Sequence, residues 1–259
     1  MFSERAFFSF IELTDPEQHR EYNEWHQLDH RPENLLLPGV AWGDRWARRR
    51  DRDPATTADG ELAGTDYVAM YWFRPPYERS IAEWTKLGED SFQWGRGPML
   101  PGVRRSLLAF FTPVKGYVAP RVQVSADALP FRPNRGLHVT VDYLADPHSA
   151  QVHEQFRWQD QVRIPDLLTC PGVAGAWTFA LHTMQQHPTL PFDQTRREYA
   201  SGSLRIRLLY LDGDPTTVTA EIAEREQQWD EAGRGAPYPE AEQTLLAGPV
   251  HTIVPWQDW

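Results

Sequence analysis

The chain has 259 residues, with 26 Lys+Arg against 36 Asp+Glu and a formal charge of −10 with histidine neutral. That acidic balance excludes nucleic acid as the main partner, and no apolar run approaches the roughly 18 residues of a membrane span. A single cysteine, Cys170, excludes an internal disulfide and a multi-cysteine metal site; with no leader-like pattern in Met1–Phe10, a cytoplasmic protein is expected.

In chain order, the patterning predicts a strand over Ala6–Leu13, a helix over Pro16–Leu36 and strands over Val40–Ala47 and Asp66–Phe73. A helix over Pro76–Phe92 and a strand over Ser106–Pro113 follow, then a linker over Tyr117–Arg135. The series then recurs: strand Leu137–Leu144, helix His148–Leu168, strands Val173–Leu181 and Leu204–Leu211, helix Pro215–Ala232, strand Thr244–Val254. Pro16, Pro147 and Pro215 each follow an Asp that can cap, and proline suits the first helical turn. Pro32 and Pro165 fall late in their helices and should kink or restart them.

The recurrence extends to residue identity. Pro32-Glu33 precedes Pro38-Gly39-Val40 by the spacing that separates Pro165-Asp166 from Pro171-Gly172-Val173. From Gly95-Arg96-Gly97 and Gly233-Arg234-Gly235 onward, an ungapped offset of 138 gives seven identities in fifteen positions. The expected fold is therefore α+β, with two tandem ferredoxin-like βαββαβ units over residues 1–116 and 136–259, joined by 117–135. One unit leaves a bare sheet face, so the two antiparallel sheets are expected to pack face to face into an intrachain α/β barrel. The polar, Pro/Gly-punctuated stretch Thr183–Gly202 is expected to gate a barrel mouth, with Phe192 and Tyr199 as apolar cover.

The run Glu21-Tyr22-Asn23-Glu24-Trp25-His26-Gln27-Leu28-Asp29-His30-Arg31-Pro32, followed by Leu37-Pro38-Gly39, resembles the dimeric α/β-barrel superfamily in its EthD-like flavour. The resemblance implies a functional histidine at His30. Aligned on Pro-Gly-Val, the second unit has Arg163 for His30, Val162 for Asp29 and Gln159 for His26. A site of this type would lie in the first unit alone. The superfamily holds cofactor-free oxygenases, cyclases, isomerases and haem enzymes, so fold membership fixes little about function.

His26 and His30 lie four apart on one helix and share a face. Asp29 beside them could orient one imidazole, which makes a general acid–base site of His26, Asp29 and His30. Which histidine acts as the base stays open. His-x-x-x-His is also metal spacing, but Gln27 stands where the zinc proteases have Glu, so no metal is expected. The strand Leu137–Leu144 carries His138, Thr140 and Asp142 on one face; Arg205 and Arg207 share a face of Leu204–Leu211. That polar face is expected to look into the lumen. His138 and Arg205, together with Tyr22 and Trp25, are the candidate substrate contacts. Twelve Phe, eleven Trp and nine Tyr suggest a cavity for flat apolar ligands.

These readings imply a cofactor-independent enzyme that starts from proton abstraction on a small aromatic or polyketide-like substrate. Rearrangement, elimination or oxygenation would follow; a homodimer is possible. The alternative is a haem enzyme, or a non-catalytic binding barrel, on the same scaffold.

Overall fold

The period-two runs form strands close to the ranges that the sequence dictates, in a computed structural model describing residues 2–50, 53, 56–96, 102–186, 193–195 and 197–257. The elements of the first half are β1 (Ala6–Leu13), α1 (His19–Trp25), α2 (Arg31–Leu36), β2 (Val40–Ala47), β3 (Thr57–Ala58), β4 (Tyr67–Phe73), α3 (Tyr77–Gln93) and β5 (Val103–Val118). Those of the second are β6 (Gly136–Tyr143), α4 (Ala150–Trp158), α5 (Ile164–Leu167), β7 (Val173–Met184), β8 (Asp193–Gln194), β9 (Leu204–Leu211), α6 (Pro215–Glu231) and β10 (Gln243–Thr252).

Eight long strands close on themselves in the order β1-β4-β2-β10-β6-β9-β7-β5, with β5 returning to β1. The second strand of each half therefore meets the last strand of the other. One junction is long, Ala109–Val118 on β5 against Gly175–Met184 on β7. The other is a two-residue contact of Trp46 and Ala47 with Thr252 and His251, and β3 pairs farther along β10. The facing sheets thus share edges, and one chain supplies the whole barrel. β5 runs past residue 116 to Val118, and the stretch after it folds into a Ser125-capped turn, Ala126–Phe131, that buries Leu129 completely.

An eight-stranded barrel is just wide enough for side chains to fill it. Phe8, Phe10, Trp72, Phe111, Phe179 and Leu208 do so, none more than 0% exposed. This corrects one expectation. The lumen takes the apolar faces of β6 and β9, so His138, Thr140, Asp142, Arg205 and Arg207 turn outward, beneath the helices. A packed interior has no room for their charge. Cys170 is buried in the apolar layer between α5, α6 and the sheet, as a small hydrophobe would be.

Tyr199 packs on Tyr143 at 5.8 Å under the Arg197 guanidinium and closes one end of the barrel near Leu107, Val141 and Leu245. Phe192, the other expected cover, lies outside the described residues. Gly95 and Gly233 end α3 and α6 with φ of 70° and 67°, a left-handed close that glycine makes without strain. Among the described residues, no helix is long and apolar enough to cross a membrane.

Candidate active site

Tyr22, His26, His30 and Asn34 recur every fourth residue, and on an ordinary α-helix such a row drifts by 40° at each step. Here the residues His26–His30 form a π-helical turn between α1 and α2. Its wider winding takes back the drift and keeps the row aimed at the sheet. Pro32 then sits in the first turn of α2, where the missing N–H costs nothing. The late proline restarts the helix as its position requires.

Beneath that row lies a polar cluster on the outer face of β1, β2, β4 and β5. His26 is 2% exposed, its Nδ1 is buried without a partner, and its ring meets that of His30 at 5.1 Å. His30 stacks on Trp25 at 4.6 Å. The Asn34 amide donates to the His30 carbonyl at 2.5 Å and to Nδ1 at 3.3 Å. With Nδ1 accepting, the neutral His30 ring carries its proton on Nε2. Arg105 donates to Ser9 Oγ at 2.9 Å. These groups line an open cavity of about 60 Å³ whose walls include Trp25, Tyr71, Trp84 and Phe92.

Arg45, which is fully buried on β2, donates from Nη2 to Asn23 and lies over the Tyr67 and Tyr22 rings at 4.5 and 5.1 Å. Its Nε and Nη1 are buried without partners, and no carboxylate among the described residues pairs with it. Burial, then Arg105 and Arg45, push His30 down to about 3; burial, then Arg45 and His30, hold His26 well below its ordinary value. Both imidazoles are therefore neutral at neutral pH. A buried cationic field beside unprotonated rings favours negative charge at this point over a further positive one.

Tyr22, Trp25, His26 and His30 come together as the sequence suggests. Asp29 does not join them. Its carboxylate points outward to Arg96 at 2.5 Å, and Arg96 also holds Glu33. The π turn rotates Asp29 away from the ring row, so the orienting contact to His30 comes from Asn34. Asp29→Asn is accordingly expected to leave turnover unchanged and the thermal midpoint near that of the parent, as for other exposed pairs. His138 and Arg205 lie in the other half, on the outer face of β6 and β9, and do not reach this cavity.

The matching row in the second half, Gln155, Gln159 and Arg163, also crosses a π turn, Gln159–Arg163. There the polar groups are satisfied: both glutamines donate to Glu242, and Arg163 bonds Glu226. On the helix row, the difference between the halves is therefore the unpartnered imidazole of His26.

Sequence reasoning missed Arg45, Asn34, Tyr71 and Arg105. The four-residue spacing up to Asn34 was the available signal for one of them. Nothing local marks the strand residues, which the barrel's closure assembles from β2, β4 and β5. Gly43, opposite Tyr71 in the ladder, is the position where β2 passes under that ring: a Cβ would meet Tyr71 Cδ1 at 2.2 Å. Gly43→Ala is expected to displace the ring and cost about 1–3 kcal/mol in chemical unfolding.

No family model matches the chain, and no curated protein matches it. Solved structures do. A provisional monooxygenase of Fusobacterium nucleatum subsp. nucleatum aligns over 98% of this chain and 94% of its own at 8% identity, with a TM-score of 0.56. A dye-decolorizing peroxidase from Bacteroides thetaiotaomicron aligns over 97% and 94% at 8% identity, with a TM-score of 0.54. The chain has the ferredoxin-like α/β-barrel fold. A DypB variant of Rhodococcus jostii RHA1, in complex with heme, shares that fold at 10% identity over 96% of this chain and 93% of its own, with a TM-score of 0.54.

Among the described residues, neither of two cavities fits haem. The cavity with the histidines holds about 60 Å³, whereas pockets for sizeable ligands run to about 300–1,000 Å³. A second cavity, in the other half, is larger at about 410 Å³, but no histidine, cysteine or methionine lines it. Its one residue of a haem-ligating type, Tyr117, has its hydroxyl bonded to Asp160. Among the described residues, no three His, Cys, Asp or Glu side chains converge as a metal site either.

Proposed function

We propose that this chain is a cofactor-independent enzyme that removes a proton from a small aromatic or polyketide-like molecule in the cavity under the π turn. The observation that carries this reading is a buried histidine, His26, with its Nδ1 unpartnered, beside a buried Arg45 that no carboxylate among the described residues pairs with. The run Glu21–Pro38 supports the EthD-like placement in the same direction.

The roles divide by hydrogen bonding. His26, whose Nδ1 has no partner, takes the proton from an acidic C–H or phenol O–H. Arg105 and the Nε2–H of His30 face the oxygen on which negative charge develops. Arg45 lies too deep to line the cavity, and acts through its field. A proton from bulk water would put a second cation beside it at no gain. A proton from the substrate leaves an anion in the pocket at the same moment, and the two new charges offset each other. About 60 Å³ admits the reacting carbonyl or phenol end, and Trp25, Trp84 and Phe92 flank the rest of the ring system.

The test needs no knowledge of the later steps. Aryl ketones and 1,3-diketones deuterated next to the carbonyl are incubated with the protein, and loss of deuterium is followed by proton NMR. Washout faster than in buffer is expected for the parent chain and not for His26→Leu. Buffer-rate washout by the parent chain across the panel overturns the reading.

A further inference from the structure

The larger cavity, about 410 Å³, opens between α4, the second π turn and the outer face of β5, β6, β7 and β9. Nothing in the proton-abstraction site uses it. Its walls are apolar, from Val114, Phe156 and Ile164, and two arginines of β9 reach it.

Neither arginine has a carboxylate at ion-pair distance among the described residues, although Asp142, Glu226 and Glu242 act on Arg207, and Glu242 on Arg205, from farther off. Arg207 is 4% exposed and bonds only Thr140 Oγ1, at 3.1 Å; its Nε and Nη1 are buried without partners. Arg205 lies over the Phe156 ring at 4.5 Å, and its Nε is likewise unpartnered. The other charges at the cavity are committed. Lys115 and Tyr117 bond Asp160, Arg157 bonds Glu154, and Asp142 accepts the Thr244 hydroxyl at 2.7 Å. No ion pair joins Asp142 to either arginine among the described residues. Burying a guanidinium without an anion is costly, and the open donors of both side chains lie at an apolar cavity of ligand size.

We infer that this cavity binds a hydrophobic monocarboxylate, with the carboxylate on Arg205 and Arg207 and the apolar body against Phe156 and Ile164. The planar fork of arginine suits a carboxylate, which satisfies several donors at once. The site is separate from the histidine cavity, so one chain would carry two ligand sites, one in each half.

Calorimetric titration of the full chain with 1-naphthoate, decanoate and 1-naphthylmethylamine tests the inference. Either carboxylate should bind and the amine should not; which of the two binds tells whether the body is flat or linear. Arg207→Met and Arg205→Met should each weaken carboxylate binding by roughly tenfold or more, the usual consequence of losing a charged hydrogen bond. Arg207→Met should also keep or raise the thermal midpoint, because it removes an unpaired buried charge; if that variant does not fold, Arg205→Met decides. Arg45→Met should leave the affinity unchanged. Failure of both carboxylates to bind, equal binding of the amine, indifference to the β9 arginines, or loss of binding in Arg45→Met would overturn the assignment.

Discussion

His26→Leu is expected to slow proton abstraction by roughly a hundred- to ten-thousand-fold, the usual contribution of a positioned proton carrier. The same change should not weaken the fold. The imidazole it removes is buried with Nδ1 unpartnered, and an apolar group of similar volume relieves that burden. Activity and stability should therefore move in opposite directions, which a merely structural histidine would not produce. His30→Phe keeps the stack on Trp25 and removes the Nε2–H; a loss of about a hundredfold is expected, in line with one donor to a developing oxyanion. The pH profile gives a further check. With His26 held well below its ordinary value by burial and by Arg45, kcat/KM of the folded chain should stay level as pH falls from about 8 to about 6, through the start of the ordinary histidine range. An ascending limb near the ordinary histidine value, or full activity in His26→Leu, would remove His26 from the role.

The fold was legible because it rests on local signals. Asp-Pro stops, period-two strands and the late prolines Pro32 and Pro165 are all read within a few residues, and β1, β2 and β9 fall on the ranges their sequences dictate. The site was legible on the helix and not beneath it. The row Tyr22–His26–His30 announces itself by spacing, and the π turn that straightens it follows from a proline placed where an α-helix cannot continue unaltered. Asp29 misled because adjacency in sequence is not adjacency in space: one step along a π turn carries it to Arg96. The polar strand faces misled for a different reason. Which way a strand's polar face turns depends on whether the barrel interior is filled, and eight strands lined with Phe and Trp leave no polar lumen. Arg45 and Arg207 occupy equivalent situations, each a charge on an outward face roofed by helices, and nothing in one strand's sequence tells an outward face from a solvated one.

The buried histidines should also make the protein unstable in mild acid. His138 is pushed down to about 4 by burial and then by Arg207, His30 is down to about 3, and His26 is lowered as well. Each folded-state value lies below that of the unfolded chain, near 6.5. As pH falls through 6.5 the unfolded chain binds these protons first, so stability is lost from there downward until the folded values are reached. Each ring contributes a slope of about 1.4 kcal/mol per pH unit in that window. Two or three such rings over two pH units approach the whole stability of an ordinary domain, roughly 5–15 kcal/mol. The lowered carboxylates act in a different window. Asp160, Asp212, Asp214 and Glu226 sit below their ordinary values, so their contribution is lost only once pH falls under about 4.5. Chemical unfolding at a series of pH values should therefore show stability dropping between about pH 6.5 and 4.5, ahead of the carboxylate range. His138→Gln should flatten that limb by the share of one ring without touching the histidine cavity of the first half. A level stability across that window would show that these rings are solvated in the folded chain, and the neutral-histidine site would fall with it.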